Sequence, residues 1–279
     1  MRKWGRMSER GVASFESGTS GLSLLGRHDS LAAASQALPE GAYTTLRTYG
    51  GTGVVRLGQH LARLEESVAL KGTPGHIDPA AVRATLGKAL ASSGYVESRV
   101  RLTFAPPRLF IAVERFAPLP QRLYEEGVAC VTLELQRDNP RAKDTRFIAT
   151  ARDAYARLPE GALEGLLLAP DGAVLEGLSS NFFAIREGAL RTEEARVLAG
   201  VTRSLALEVA ESLLPVRRVA VQRDELPLVD EAFITSVSRE LLPVVRIDGR
   251  PVGAGRVGPK TRAIMRAFEA LVARERETL

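Results

Sequence analysis

The stretch Leu175-Glu176-Gly177-Leu178-Ser179-Ser180-Asn181-Phe182-Phe183 joins two apolar runs through a turn of small residues. Further along the chain, Leu198-Ala199-Gly200-Val201-Thr202-Arg203 leads into a helical pattern. The first stretch places the carboxylate of Glu176 at the end of an apolar run. The second begins a helix, and the backbone N–H groups at the start of a helix can bind an anion. Together they predict a buried carboxylate beside an anion site, which is the outline of a cofactor-binding site.

The composition is that of a folded globular protein. Of the 279 residues, 45% are hydrophobic and 25% are charged, and the length suffices for two domains or one large one. The apolar runs are too short to cross a bilayer, and the N-terminus does not resemble a signal peptide, so we expect a cytoplasmic protein without a membrane partner. The single cysteine, Cys130, can form no internal disulfide and is expected to be buried.

The net charge of +5 would also suit a protein that binds nucleic acid. However, the basic residues are interspersed with acidic ones, and aromatic side chains, which stack on bases, make up only 5% of the chain. We therefore predict no nucleic-acid partner and keep a basic, non-catalytic nucleic-acid-binding protein as a remote alternative. A basic cleft for an anionic substrate or cofactor is compatible with the charge. We predict no metal site.

The sequence divides into four parts. Residues 1–34 are rich in Gly, Ser and Arg without a sustained period, and they predict a tail. Residues 35–115 read as hairpin, helix, helix and hairpin, which indicates a small α+β domain. The Pro-rich segment 116–122 is the predicted interdomain linker. The many short strands of 123–279 indicate a larger, barrel-like domain.

Local periodicity and turn residues predict the individual elements. Helices are expected over 58–70, 78–93, 145–158, 202–214 and 258–274, with a short turn or helix over 224–229. Strands are expected over 41–49, 54–57, 98–104, 108–114, 127–135, 164–169, 217–222, 233–238 and 241–247. Asp78 is the predicted N-cap of the second helix, with Pro79 at its first position.

Three segments place a glycine or a hydroxyl group in a turn before a helix or loop. They are Gly200-Val201-Thr202, Ser236-Val237-Ser238 and Gly258-Pro259-Lys260-Thr261. Backbone N–H groups and hydroxyls in such turns can bind phosphate. Because similar caps occur in most proteins, each segment alone is a weak signal, and the order of the motifs along the chain carries more information.

Taken in order, the motifs resemble those of one family. They are Gly41–Arg47, His60–Leu64, Lys143, Glu176–Phe183, Leu198–Arg203, Ser236–Val244, Ile247–Gly249 and Gly258–Thr261. Over residues 40–270 the chain resembles the class IV aminotransferases, the fold-type IV pyridoxal-phosphate enzymes, which include branched-chain and D-amino-acid aminotransferases and aminodeoxychorismate lyase. The resemblance implies an α+β fold of two domains, a small α/β sandwich and a larger pseudo-barrel, and a homodimer.

The resemblance also implies the roles of particular residues. Lys143 would be the catalytic residue, which forms a Schiff base with pyridoxal 5'-phosphate. Glu176 would pair with the pyridine nitrogen of the cofactor, and Arg63 would bind its phosphate. The other positions implied for cofactor binding are Asn181, Leu198, Gly200, Val201, Thr202, Ser236, Val237 and Ser238.

Substrate contacts are implied for Tyr43, Thr44, Arg47, Arg101 and Arg146. After the lysine, branched-chain enzymes have an asparagine and a tyrosine whose hydroxyl contacts the ring oxygen of the cofactor. Here the chain reads Asp144-Thr145-Arg146-Phe147, so phenylalanine cannot make that contact and Arg146 could take part of its role. The first strand also lacks the Phe-Glu-Gly of branched-chain enzymes, so branched-chain substrates are not favoured.

We therefore predict an aminotransferase that moves an amino group between an amino acid and a 2-oxo acid, with Lys143 as the general base and acid. One alternative within the family stays open. In aminodeoxychorismate lyase the same chemistry expels pyruvate, and Thr44 and Thr45 do not exclude it. The sequence leaves the amino donor and its chirality open.

Overall fold

The structure is a computed structural model that describes residues 11–18 and 21–279. The described chain forms two compact units. Unit 1 contains the residues up to Ala117 together with Ala142–Ile148 and Arg276–Leu279, and unit 2 contains Pro118–Arg141 and Ala149–Glu275. The first division falls within the predicted linker. The predicted larger domain, in contrast, loses two segments to unit 1, and one of them carries Lys143.

Unit 1 is built on a five-stranded antiparallel sheet. Its elements are β1 (Val12–Gly18), β2 (Gly21–His28), α1 (Leu31–Gln36), β3 (Ala42–Arg47), β4 (Gly53–Val55), α2 (Leu57–Leu70), α3 (Pro79–Ser93), β5 (Ser98–Ala105) and β6 (Arg108–Arg115). The strand order is β2-β1-β6-β5-β3. A separate pair joins β4 to the last strand of the chain, Arg276–Thr278. The strand predicted over 54–57 is wrong at its end, because Leu57 begins α2.

Helices cover both faces of this sheet. Leu64 of α2 and Leu86 of α3 lie in one core with Ile111 of β6, and all three side chains are fully buried. Val12 and Ala112 point to the opposite face, where they pack against α1. Asp78 caps α3 through a hydrogen bond of 2.9 Å from Ala80 N to its side chain, which confirms the predicted start of this helix.

The strands β1 and β2 correct the prediction that residues 1–34 form a tail. β1 pairs with the central strand β6, with Phe15 opposite Ile111, and Phe15 is only 2% exposed. The sequence signal was weak because serines and glycines interrupt the apolar alternation of this hairpin, and its stability comes from burial against a strand that lies far away in sequence. Residues 1–10 and 19–20 of the predicted tail lie outside the described residues.

Unit 2 contains a sheet of nine strands. Its elements are α4 (Arg122–Glu126), β7 (Val128–Leu133), α5 (Phe147–Tyr155), β8 (Ala162–Leu168), β9 (Val174–Gly177), β10 (Asn181–Arg186), β11 (Ala189–Arg191), α6 (Val201–Glu211), β12 (Val216–Arg217), a 3₁₀ helix (Arg223–Leu228), β13 (Glu231–Ser236), β14 (Glu240–Ile247), β15 (Arg250–Pro251) and α7 (Pro259–Arg274). Helix α5 begins in unit 1 and continues into unit 2.

The sheet of unit 2 closes on itself. Eight of its strands follow the order β12-β11-β10-β13-β14-β7-β8-β9, and the ninth, β15, pairs with β14. β9 pairs again with β10, where Glu176 lies opposite Asn181. This closure confirms the predicted barrel-like domain. Inside the unit, the rings of Phe183 and Phe233 stack at 4.7 Å between their centroids on neighbouring strands. Cys130 is also buried, as predicted.

One predicted strand is wrong for most of its length. The sequence predicts a strand over 217–222, whereas β12 ends at Arg217. Its partner β11 has only three residues, so the hydrogen-bonded ladder ends there and Val219 is 51% exposed. Within the described residues, no helix combines the length and the apolar character needed to cross a membrane.

Candidate active site

The backbone of Lys143 is fixed in unit 1 by hydrogen bonds on both sides. Its N–H donates to Ser67 Oγ of α2 over 3.1 Å, and its carbonyl oxygen accepts from Tyr43 N of β3 over 2.8 Å. The Nζ atom lies over the ring of Tyr43, 4.8 Å from its centroid, and the side chain is half-buried. The amine is therefore held beside the strand that the sequence predicted to carry substrate contacts.

Arg63 projects from the buried face of α2 and is 8% exposed. Its Nη2 donates to Thr44 Oγ1 over 2.7 Å, and the same hydroxyl lies 2.8 Å from Nδ1 of His60. Burial, followed by the charges of Arg63 and Lys143, lowers the pKa of His60 well below its usual 6.5. The imidazole is therefore neutral at pH 7. Because Thr44 accepts from a guanidinium, which can only donate, its own proton is available for Nδ1 of His60.

The involvement of Thr44 with Arg63 and His60 differs from its predicted role in substrate binding. Its side chain has no exposed surface, and the hydroxyl already serves these two buried partners. Buried hydroxyl groups are commonly satisfied in this way. Thr44 is thus placed to orient the predicted phosphate-binding arginine.

Asp144, directly after Lys143, is paired with two cations. Its Oδ1 lies 2.6 Å from Lys71 Nζ, and its Oδ2 accepts from Nε and Nη2 of Arg146 over 2.8 and 2.7 Å. Burial opposes ionisation of Asp144, but the hydrogen bonds from Arg146 and Lys71 outweigh it and hold the pKa of the carboxyl below its usual value. The guanidinium of Arg146 is thus engaged with Asp144, and these contacts do not support the contact with cofactor or substrate that the sequence suggested.

Arg101 holds α1 in place. Its Nη1 donates to the carbonyl oxygen of Leu31 over 3.0 Å and to Ser35 Oγ over 2.7 Å. The guanidinium also lies over the ring of Tyr43, 4.8 Å from the centroid. Burial lowers the pKa of Arg101 from its usual value. The predicted substrate residue therefore anchors the segment that the sequence had assigned to a tail.

Arg47 is enclosed by aromatic rings. Its guanidinium lies over Tyr49 at 4.4 Å and over Phe116 at 4.2 Å, and Nη2 pairs with Glu97 over 3.2 Å. Cation–π contacts of this kind stabilise local packing. The structure thus pairs Thr44 with Arg63 and Tyr43 with Lys143 at one end of β3, whereas Arg47 lies at the other end of that strand.

In unit 2 the carboxylate of Glu176 is 3% exposed, as the sequence predicted. Its Oε1 accepts from Nη1 of Arg137 over 3.1 Å, and its Oε2 accepts from Nδ2 of Asn181 over 3.2 Å and from Leu198 N over 3.1 Å. The two stretches on which the fold prediction rests therefore meet at this carboxylate. Sequence reasoning missed Arg137, for which the only signal was an arginine in the loop before Lys143.

The start of α6 is packed tightly against Asn181. Nδ2 of Asn181 also donates to the carbonyl oxygen of Leu198 over 2.9 Å, and a Cβ atom at Gly200 would lie 2.3 Å from Asn181 Oδ1. Gly200 is the N-cap of α6 and has no side chain that could accept from the N–H groups of the first turn. A helix start of this kind can bind an anion.

The other two candidate phosphate segments differ from each other. Ser236 ends β13, and Val237 and Ser238 follow it in the turn before β14; all three are half-buried. Ser236 Oγ accepts from the N–H of Arg239 over 3.3 Å. At the start of α7, the carboxylate of Glu231 already accepts from Lys260 N over 3.1 Å and from Thr261 N over 2.6 Å. A carboxylate repels a second anion, so the segment 258–261 is not a phosphate site.

A second buried carboxylate, Glu164, forms a network that sequence reasoning also missed. Glu164 has no exposed surface and accepts from Tyr155 OH over 2.6 Å, Ser180 Oγ over 2.8 Å and Arg239 Nη1 over 2.5 Å. Burial raises the pKa of Tyr155, and although burial opposes the charge of Arg239, the negative charge of Glu164 raises the pKa of that guanidinium. The network joins α5 and β8 to the turns that follow Glu176 and Ser236.

The chain is similar to known proteins along most of its length. A family model described as amino-transferase class IV matches residues 41–247. The branched-chain-amino-acid aminotransferase of Pseudomonas aeruginosa is 29% identical over 264 residues, which cover 85% of each chain. The D-alanine aminotransferase of Bacillus licheniformis is 28% identical over 250 residues, which cover 82% of this chain and 87% of that protein. The solved branched-chain aminotransferase of Thermoproteus uzoniensis with norvaline is 25% identical, with a TM-score of 0.77 over 95% of this chain and 96% of that one.

Proposed function

The chain belongs to the class IV aminotransferases, and we propose that it binds pyridoxal 5'-phosphate through Lys143, Arg63 and Glu176 and moves an amino group between an amino acid and a 2-oxo acid. The family is one of enzymes, and the relatives named above are aminotransferases. The observation that carries the proposal is the Glu176 carboxylate, which is buried and held by three donors at the meeting point of both defining motifs.

The residues present fit the proposed cofactor by their chemistry. A phosphate group needs a cation and N–H donors, and Arg63 and the uncapped start of α6 at Gly200 offer both. A pyridine nitrogen needs a carboxylate in a fixed orientation, and the buried, hydrogen-bonded carboxylate of Glu176 meets this requirement. An aldehyde needs an amine, which the half-buried Lys143 supplies.

In the proposed mechanism, each group has a separate task. When bound, pyridoxal phosphate withdraws electrons from the α-carbon of the substrate. Lys143 would tether the cofactor through its amine and would serve as the general base and acid that removes the α-proton of the substrate and returns a proton. Glu176 holds the ring nitrogen, and Asn181 and Leu198 keep that carboxylate oriented.

The remaining residues would complete phosphate binding. Arg63 is the cation of this group, and Thr44 and His60 hold it in position. The N–H groups of a helix start and the hydroxyls of a turn are suited to the other phosphate oxygens. We assign this role to Gly200, Val201, Thr202, Ser236, Val237 and Ser238. Tyr43, which lies beneath the amine of Lys143, stays a proposed substrate contact, and a homodimer stays a proposal from the family.

The first experiment follows the visible absorbance of the protein after incubation with pyridoxal phosphate and removal of the excess. L-glutamate, L-leucine, D-alanine and D-glutamate are then added separately. We expect one of them to convert the bound cofactor to the pyridoxamine form, which would identify the donor and its chirality. If pyruvate is released from aminodeoxychorismate while the aldehyde form persists, the enzyme is the lyase. Absence of a bound chromophore would contradict the proposed cofactor.

A further inference from the structure

Arg137 lies in the loop that leads to Lys143 and forms an ion pair with Glu176 that is almost wholly buried. Nη1 of Arg137 is 3.1 Å from Oε1 of Glu176, and their side chains are 8% and 4% exposed. Both residues line a cavity of about 200 Å³ within unit 2, so that a molecule bound there could reach the pair. Arg196 lines the same cavity, but it pairs with Asp171 and Glu193, each over 2.8 Å.

The three described donors to Glu176 differ in charge. The amide of Asn181 and the backbone N–H of Leu198 are neutral, whereas Arg137 carries a full positive charge. A carboxylate that shares its charge with a guanidinium is a weaker acceptor for any further proton donor, and a nearby cation disfavours protonation of a basic nitrogen. An isolated Glu176 would favour protonation of a bound pyridine nitrogen, and Arg137 reduces that effect.

We propose that Arg137 is a positioning residue that keeps Glu176 oriented. Because it shares the charge of that carboxylate, Arg137 also lowers the proton affinity of the cofactor's ring nitrogen. This inference rests on the proposed function, because it concerns the same carboxylate and the same cofactor. It extends that function in one respect. A residue that forms no bond to the ring would control the protonation of the ring nitrogen, and thereby how strongly the ring withdraws electrons.

The test uses the holoenzyme loaded with pyridoxal phosphate that carries ¹⁵N in its ring, because the ¹⁵N chemical shift reports protonation of that nitrogen directly. The shift is followed against pH in the parent and in the variants Arg137→Gln, Arg137→Lys and Arg196→Gln. Glutamine keeps a donor for Glu176 but removes the charge. We expect Arg137→Gln to raise the midpoint of the ring-nitrogen titration by about one pH unit or more. Arg137→Lys and the control Arg196→Gln should stay close to the parent.

A double-mutant cycle tests whether Arg137 acts through Glu176 and not merely on folding. In a Glu176→Gln background there is no carboxylate charge for Arg137 to share, so the additional change Arg137→Gln should shift the midpoint much less than it does beside Glu176, whereas a direct effect of the cation on the ring would persist. An equal shift in both backgrounds would overturn the inference, as would an Arg137→Gln holoenzyme that titrates like the parent. If the parent protein binds no pyridoxal phosphate, the proposed function fails instead, which is a distinguishable result.

Discussion

Nδ1 of His60 lies 2.8 Å from the hydroxyl oxygen of Thr44, and the two side chains are 3% and 0% exposed. The same hydroxyl accepts from Arg63, so a neutral imidazole and a charged guanidinium share one small group. Protonation of His60 would place two cations on either side of Thr44 without water between them. The arrangement therefore depends on a histidine that stays neutral.

The free energy of unfolding should decrease as the pH falls below about 6.5, because of His60. Its pKa in the folded state lies well below the 6.5 of an exposed histidine, so below that pH the unfolded chain takes up a proton that the folded chain does not. The free energy of unfolding should then fall by up to about 1.4 kcal/mol per pH unit, until the folded-state pKa is reached, and His60 should contribute no slope well above pH 6.5.

Urea unfolding of the parent and of His60→Gln between pH 7.5 and 5 measures this contribution. The variant should be less stable at pH 7.5, and the gap should narrow as the pH falls. His76→Gln, at a side chain that is 85% exposed, controls for the loss of a histidine. If the free energies of unfolding of the parent and of His60→Gln change in parallel with pH, the prediction is wrong, because His60 would then titrate alike in the folded and unfolded states.

Replacement of Arg63 should weaken cofactor binding much more than it weakens the fold. Hydrogen bonds to charged groups contribute about 1.5–3 kcal/mol each, so Arg63→Ala should raise the dissociation constant of pyridoxal phosphate about 10- to 150-fold. Arg63→Lys should give a smaller loss, since it keeps the charge without the planar fork. Arg152→Ala, at an exposed arginine of α5, is the control. Unchanged affinity in Arg63→Ala would remove the proposed role in phosphate binding.

Lys143→Ala should abolish the covalent attachment of the cofactor. Borohydride reduction followed by mass spectrometry of peptides should find the phosphopyridoxyl label on Lys143 in the parent and no specific label in the variant. Lys88→Ala, at an exposed position of α3, should label like the parent. A specific label that persists in Lys143→Ala would identify another lysine as the tether.

Short-range patterns in the sequence predicted those parts of the fold that short-range physics determines. Asp78 and Pro79 mark the start of α3 because capping depends only on neighbouring residues. The burial of Glu176 followed from its position at the end of an apolar run. In contrast, β1 gains its stability from pairing with β6, and no local pattern records that distant partner.

The partners of the charged side chains were the least predictable part of the candidate site. Arg146 pairs with Asp144 two residues away, and Arg101 donates hydrogen bonds to α1. An arginine in a sequence can bind a ligand or another part of the fold, and only its surroundings in three dimensions decide between the two. Arg137 was missed for the same reason, because its partner Glu176 is brought to it by the closed sheet.

Replacing one partner of the ion pair between Glu164 and Arg239 should strongly destabilise the protein, and replacing both should cost less than the sum of the two single changes. Glu164→Gln leaves the guanidinium buried without its counter-charge, so the free energy of unfolding should fall by about 3–5 kcal/mol. The double variant Glu164→Gln, Arg239→Gln should lose less than the sum of the two single changes. Asp153→Asn, in the exposed pair with Arg152, should change stability by less than about 1 kcal/mol. Additive losses would show that the two buried charges do not depend on each other.

The tight packing at the start of α6 predicts that Gly200→Ala disturbs the site of Glu176. The backbone at Gly200 has φ of −68°, which alanine adopts without strain, so the effect must come from the added Cβ atom, 2.3 Å from Asn181 Oδ1. Asn181 would have to move, and it is one of the donors that hold Glu176. We expect a loss of about 1–3 kcal/mol in the free energy of unfolding and roughly tenfold or greater weakening of pyridoxal phosphate binding.

Gly87→Ala is the matched control, because a Cβ there meets no atom within 4 Å in the interior of α3, and it should stabilise the helix by up to about 1 kcal/mol. Equal cofactor affinity in the two variants would mean that the contact between Gly200 and Asn181 does not position Glu176.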